Sequence, residues 1–312
     1  MTKRSLYWAG VILTFLYILI GSAQSVVLNI WLHGENIYFV VGSCFLIVTI
    51  VFGVAGVFKQ AKIYKIIAKK WRSVVFLNLF SVSNWLLYFF SVKYLEPSVA
   101  ITLIQGIGPV SMSAYTLLRG GHISRATKIC HIGIFFMVIV MCVYVIIFRR
   151  DYNSQDIESV LLGVFMSIIC GISITATILL SKKFASDGVP PSILLSVRFP
   201  VLILICSVIA PLQGELVITK EIVVNIVIIS LFGVCGSTWC LQKGIELAPS
   251  LAVSTVLALS PLTVFALQVF NKNIPVSFII MGIIFSITVF SVFSIFYEDS
   301  LLKKEKLSAA SS

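Results

Sequence analysis

Ten apolar runs, each close to the roughly 20 residues needed to cross a bilayer, constrain this chain more than any other feature. They lie at 6–31, 37–58, 73–92, 98–118, 129–148, 159–181, 190–212, 222–242, 249–270 and 275–297. Nine carry no charge, and the seventh carries only Arg198. A backbone in lipid must satisfy its own N–H and C=O groups, so only helices and closed barrels span membranes. The runs are continuously apolar rather than alternating with period two, which excludes the barrel. An all-α integral membrane protein with ten transmembrane helices is therefore expected. Charged residues are 11% of the chain and apolar ones 59%, with a mean hydropathy of +1.08. A soluble domain carries about 25% charged residues, so this chain has too little charge to cover a surface facing water. Its connections are also too short to add a soluble domain.

The net charge of +11 does not indicate nucleic acid. Its basic residues sit in short clusters between apolar runs, which suits loops against anionic membrane lipid better than a groove for phosphates. Lys and Arg favour the cytoplasmic side of a membrane. With the N-terminus inside, 17 fall inside: Lys3, Arg4, Lys59, Lys62, Lys65, Lys69, Lys70, Arg72, Arg119, Arg125, Lys128, Lys182, Lys183, Lys243, Lys303, Lys304 and Lys306. Five fall outside (Lys93, Arg149, Arg150, Lys220, Lys272), and Asp151, Asp156 and Glu158 mark the outer loop after the fifth run. Both termini are expected in the cytoplasm, with the chain multi-pass in the cell inner membrane. Lys3 and Arg4 followed by an apolar stretch resemble a signal peptide. The charge-free run continues to Leu32, however, and reads as a retained first helix.

Seven cysteines (Cys44, Cys130, Cys142, Cys170, Cys206, Cys235, Cys240) all fall inside apolar runs, without C-x-x-C spacing. Buried, inert thiols are expected rather than disulfides or a metal site. His33, His122 and His131 have no ligand spacing. No metal and no cofactor are expected.

The chain repeats itself at an offset of 152 residues. Pro97-Ser-Val-Ala-Ile-Thr-Leu-Ile-Gln-Gly-Ile-Gly-Pro109 returns as Pro249-Ser-Leu-Ala-Val-Ser-Thr-Val-Leu-Ala-Leu-Ser-Pro261, with Pro, Ser, Ala and Pro in register. Proline at a helix start costs nothing. A second proline in mid-span removes a hydrogen bond and is expected to kink each helix, so Pro109 and Pro261 are candidate gating points. Trp85 precedes the first copy and Trp239 the second. Halves of five spans have opposite orientations, giving two inverted five-helix repeats over 1–150 and 151–300, with 301–312 as a cytoplasmic tail. Transporters that work by alternating access are commonly built this way.

With its ten spans, its five-plus-five repeat and its helices of the form Pro-Ser-x-Ala-x8-Pro, the chain resembles the EamA branch of the drug/metabolite transporter superfamily. Pro191-Ser-Ile-Leu-Leu-Ser-Val-Arg198-Phe is similar to that family's Pro-x6-Arg segment; the first half has Leu46 at the matching place. The resemblance implies a central cavity lined by the first, third, fourth, sixth, eighth and ninth spans, and the export of amino acids or related metabolites.

Polar groups on those spans are the candidate solute-binding residues: Gln24, Asn84, Trp85, Tyr88, Gln105 and Trp239. An amide in hydrocarbon needs a partner, either a neighbouring helix or a solute, and either role suits each amide. Thr102, Gly106 and Pro109 share one helix face, as do Ser254, Ala258 and Pro261, and small residues there suit close packing as well as cavity lining. Arg198, centred in a bilayer, would cost roughly 2.5–3.5 kcal/mol. It either contacts an anionic solute or ties down helix ends, and its place a third of the way into its run favours structure. No Asp or Glu lies deep in a run, so a proton antiporter built on a membrane carboxylate is disfavoured. An enzyme would need a paired acid and base or a metal cluster, and neither is present in the sequence. The expectation is a secondary transporter for a small polar or zwitterionic solute, oligomeric state open. A transport-inactive sensor or scaffold is the alternative.

Overall fold

The computed structural model describes residues 3–31, 35–60, 63–148, 157–214, 218–270 and 277–311. Lys62, Arg149, Arg150, Asp151, Asp156 and Lys272, which enter the expected orientation, lie outside them, as does His33.

Every regular element among the described residues is helical. The first six spans are α1 (Lys3–Trp31), α2 (Ile37–Gln60), α4 (Trp71–Tyr94), α5 (Pro97–Leu118), α6 (Arg125–Phe148) and α7 (Ile157–Ser186), with the short α3 (Ile63–Lys69) between the second and third. The seventh joins α8 (Pro191–Val197), α9 (Pro200–Ile209) and a 3-10 turn (Ala210–Gln213). The eighth joins α10 (Lys220–Ile228), a π-helical segment (Ile229–Cys235) and α11 (Gly236–Leu247). The ninth is α12 (Ser250–Leu257) with α13 (Ser260–Gln268), and the tenth opens α14 (Phe278–Ser311). Ten segments of the described residues, from Arg4–Leu28 to Phe278–Tyr297, are long and apolar enough to cross a membrane. These are the ten runs expected, and they make the chain a multi-pass membrane protein. The Tyr7 hydroxyl donates to the Ile295 carbonyl at 3.2 Å, and the Trp8 ring lies 6.1 Å from Phe296. Ten crossings thus bring the chain back to the face where it began.

The outer surface carries large apolar side chains such as Ile132, Phe136, Phe232 and Phe285, as lipid contact requires. Inside, one core joins Phe45, Trp85, Phe89, Phe199 and Leu202; another joins Leu103, Ile134, Met141, Ile284 and Ile287. Buried hydroxyls answer their own helices: Thr14 donates to Gly10 O, Ser81 to Leu77 O and Ser167 to Gly163 O, at 2.7–2.8 Å.

Two close crossings organise the bundle. Where α1 meets α11, a Cβ on Gly10 would stand 2.5 Å from Ala248 Cβ, and one on Gly244 would stand 2.5 Å from Thr14 Oγ1. Where α7 meets α4, a Cβ on Gly163 would stand 2.8 Å from Leu95 Cγ, with Ser91 and Ser167 fully buried at the crossing. Gly10 and Gly163, Thr14 and Ser167, Ser91 and Gly244, and Leu95 and Ala248 are each 153 positions apart.

The interruptions lie in the seventh, eighth and ninth spans. The seventh breaks at Arg198–Phe199, before Pro200, and Asn78 of α4 bridges the gap. Its amide donates to Val197 O at 2.8 Å and accepts from Val201 N at 3.3 Å, satisfying backbone groups at the break as a membrane interior requires. The ninth breaks before Pro261. Ala258 and Leu259 turn their N–H groups to carbonyls three residues back, and the Ser260 hydroxyl takes Leu257 O at 2.7 Å, the carbonyl Pro261 cannot serve. At Pro109, α5 continues through the proline as one helix. Gly106, without a side chain, lets α6 close on α5 at this level: a Cβ there would stand 2.5 Å from Val138 Cγ2.

Candidate functional site

A cavity lies between the two halves of the chain. Tyr17, Ile18, Gly21, Ser22, Gln24 and Ser25 of α1 face Asn84, Trp85 and Tyr88 of α4. Ile101 and Gln105 of α5, Ile174 of α7, Ser237 of α11, and Ser260 and Val264 of α13 complete the wall. These come from the first, third, fourth, sixth, eighth and ninth spans. Its volume is about 40 Å³, room for roughly three waters, and no lining residue is charged.

Local sequence explains the placement. In α1, Gly21, Ser22, Gln24 and Ser25 form a small polar stretch where bulkier residues would fill the space. The Ser25 hydroxyl bonds Gly21 O at 2.7 Å and Tyr88 Oη at 2.8 Å, and Ser22 pairs with Thr263 of α13 at 2.5 Å. The π-helical segment of the eighth span sets Gly233 against Gln24, where a Cβ would come within 3.2 Å of the amide carbon. Inserted π turns are frequent at functional sites. The Trp85 ring lies 4.7 Å from Phe45 and 5.9 Å, edge-on, from Tyr88.

Two polar groups in this wall have no partner. Gln24 Nε2 and Trp85 Nε1 are buried without a hydrogen-bond acceptor, in side chains that are each 8% exposed. A buried donor left unmade costs about 1–3 kcal/mol, and among the described residues these two belong to side chains that line the cavity.

Five of the six expected binding residues meet here: Gln24, Asn84, Trp85, Tyr88 and Gln105. Trp239 does not. It is 42% exposed on α11, whose buried side chains at this level are Ser237, Thr238, Leu241 and Gln242. Thr238, not Trp239, stands 153 positions from Trp85, and one residue turns a helical side chain by about 100°. Pro109 and Pro261 are buried in α5 and α13 beside the lining residues. Arg198 is buried outside the lining. Its Nε donates to Ser81 Oγ at 2.9 Å, and its guanidinium lies 5.4 Å from the Phe199 ring.

Tyr17, Ser22, Ser25, Ser237 and Ser260 were not singled out from sequence, because a lone serine in an apolar run looks the same whether it bonds its own helix or faces a cavity. His131, without ligand spacing in the sequence, holds a hydrogen-bonded place in the structure. Thr255 spends its proton on Leu251 O at 2.8 Å, so it accepts from His131 Nε2–H at 3.2 Å. Nδ1 then accepts from Ser113 at 2.6 Å, and Ser294 lies 3.5 Å from Nε2. The imidazole joins α5, α6, α12 and α14 away from the cavity.

A second hollow of about 250 Å³ lies between the second and seventh spans, lined by Tyr38, Phe39, Gly42, Ser43, Leu46, Ile203 and Cys206 among others. It opens beside the exposed Leu46, and no unpartnered buried polar atom lines it among the described residues. The smaller central cavity is the candidate site.

No protein-family model matches the chain, and no curated protein matches it. Among solved structures, a crystal structure of a protein is similar with a TM-score of 0.69 and 15% identity, covering 92% of this chain and 96% of that one. That likeness shows a shared fold.

Proposed function

We propose that this chain is a secondary transporter of the EamA type in the drug/metabolite transporter superfamily. It moves a small polar or zwitterionic metabolite, an amino acid or similar solute, out across the cell inner membrane by alternating access, with both termini cytoplasmic. The observation that carries this reading is the uncharged cavity between the two halves, lined by side chains whose indole and amide donors have no partner among the described residues. Buried polar groups within a membrane mark solute pathways when no helix answers them.

The inverted repeat rests on paired contacts. The α1–α11 crossing at Gly10 and Ala248 and the α7–α4 crossing at Gly163 and Leu95 use residues 153 positions apart. A carrier with two matched crossings can exchange one closed face for the other by rocking its halves. Breaks in the seventh and ninth spans add places to bend near the cavity.

Sided labelling tests the reading. In a variant whose native cysteines are replaced by serine or alanine, Gln105→Cys is exposed to a membrane-impermeant maleimide in right-side-out and inside-out vesicles. A carrier reacts from both sides at measurable rates. Reaction from one side only, or from neither, contradicts alternating access.

A further inference from the structure

We infer that the central cavity recognises its solute through a carboxylate, held by the Trp85 indole N–H and the Gln24 amide, and that it discriminates against cationic solutes. The inference rests on the carrier reading and adds the charge class of what is carried.

The unpartnered groups are donors. Indole Nε1–H can only donate, and Trp85 has no acceptor among the described residues. Gln24 Nε2 is likewise unmatched. A ligand that satisfies both brings acceptor oxygens, and charged acceptors form the stronger hydrogen bonds.

The surroundings favour an anion over a cation. No Asp or Glu lines the cavity, so an ammonium would meet no opposite charge. An ammonium could otherwise rest on an aromatic face. Here the Trp85 ring is crowded by Phe45 at 4.7 Å and by the Tyr88 ring at 5.9 Å, and Tyr88 meets Phe89 edge-on at 5.4 Å. The small volume suits a solute of a few heavy atoms.

The test uses the full chain in lipid nanodiscs titrated with pyruvate, alanine and alaninamide, solutes of similar size with net negative, zero and positive charge. Binding is read as the rise in unfolding temperature with concentration. Pyruvate and alanine are expected to bind, and alaninamide to bind at least tenfold more weakly. Trp85→Phe keeps the ring and removes the N–H, and should weaken pyruvate binding by roughly tenfold or more. Gln24→Glu, nearly isosteric, should invert the order in favour of alaninamide, and it keeps the test decisive if the Trp85 variant fails to fold. Alaninamide binding as tightly as pyruvate, no binding of any of the three, or a Trp85→Phe variant that binds pyruvate unchanged would overturn the inference. Flux through proteoliposomes separates the two readings. Trp85-dependent pyruvate binding without flux keeps the carboxylate site and removes the carrier, whereas flux of alaninamide but not pyruvate keeps the carrier and removes the carboxylate site.

Discussion

Asn78 shows how much one side chain can settle inside a membrane. Its amide donates to Val197 O and accepts from Val201 N, on either side of the break in the seventh span, where no water is available to take either group. Asn78→Leu leaves both unpaired, at about 1–3 kcal/mol per buried group. The variant should melt well below the wild type in detergent, and an unchanged melting temperature would mean that the break is held by other contacts. From sequence, Asn78 is one polar residue in an apolar run, six residues before Asn84. Nothing in composition tells which of the two amides closes a helix break and which lines a cavity. Trp85 and Trp239 teach the same lesson: they look equivalent from their distances to the repeated prolines, yet one residue of helical phase leaves one in the cavity wall and the other on the exposed surface.

At the scale of elements, the spans were legible because a charge-free run of this length has no other stable form in lipid. Their interruptions were legible only in part. Proline announced possible kinks at Pro109 and Pro261 alone, yet α5 runs through Pro109 as one helix, the ninth span breaks before Pro261, and the seventh also breaks, before Pro200. The π-helical segment Ile229–Cys235 has no proline and no charge to reveal it. Close crossings give a sharper expectation. A Cβ on Gly10 would meet Ala248 Cβ at 2.5 Å and Ala248 N at 2.8 Å, backbone that cannot step aside, so Gly10→Val should destabilise by about 1–3 kcal/mol through overpacking. Gly282 in α14 has nothing within 4 Å of where its Cβ would be. Gly282→Ala should therefore be neutral or stabilise by up to about 1 kcal/mol through helix propensity. Unfolding temperatures of the two variants, measured side by side, should diverge. Equal losses would mean that the α1–α11 crossing is not a close contact in the membrane.

For the whole molecule, a ten-span bundle with matched crossings holds a small uncharged cavity in which the Gln24 amide and the Trp85 indole have no acceptor among the described residues, and the proposed carrier role rests on that arrangement. The cavity belongs to six spans drawn from both halves, so no single segment could supply it. The most direct measurement is the set of metabolites leaving cells that express the wild type, compared with cells that express Trp85→Ala, Gln105→Ala at matched membrane abundance. One solute class appearing in the medium with the wild type alone is the predicted result, and it would name the substrate and the direction. Identical profiles for the wild type, the double variant and cells without the protein, under several nutrient loads, would contradict the carrier account.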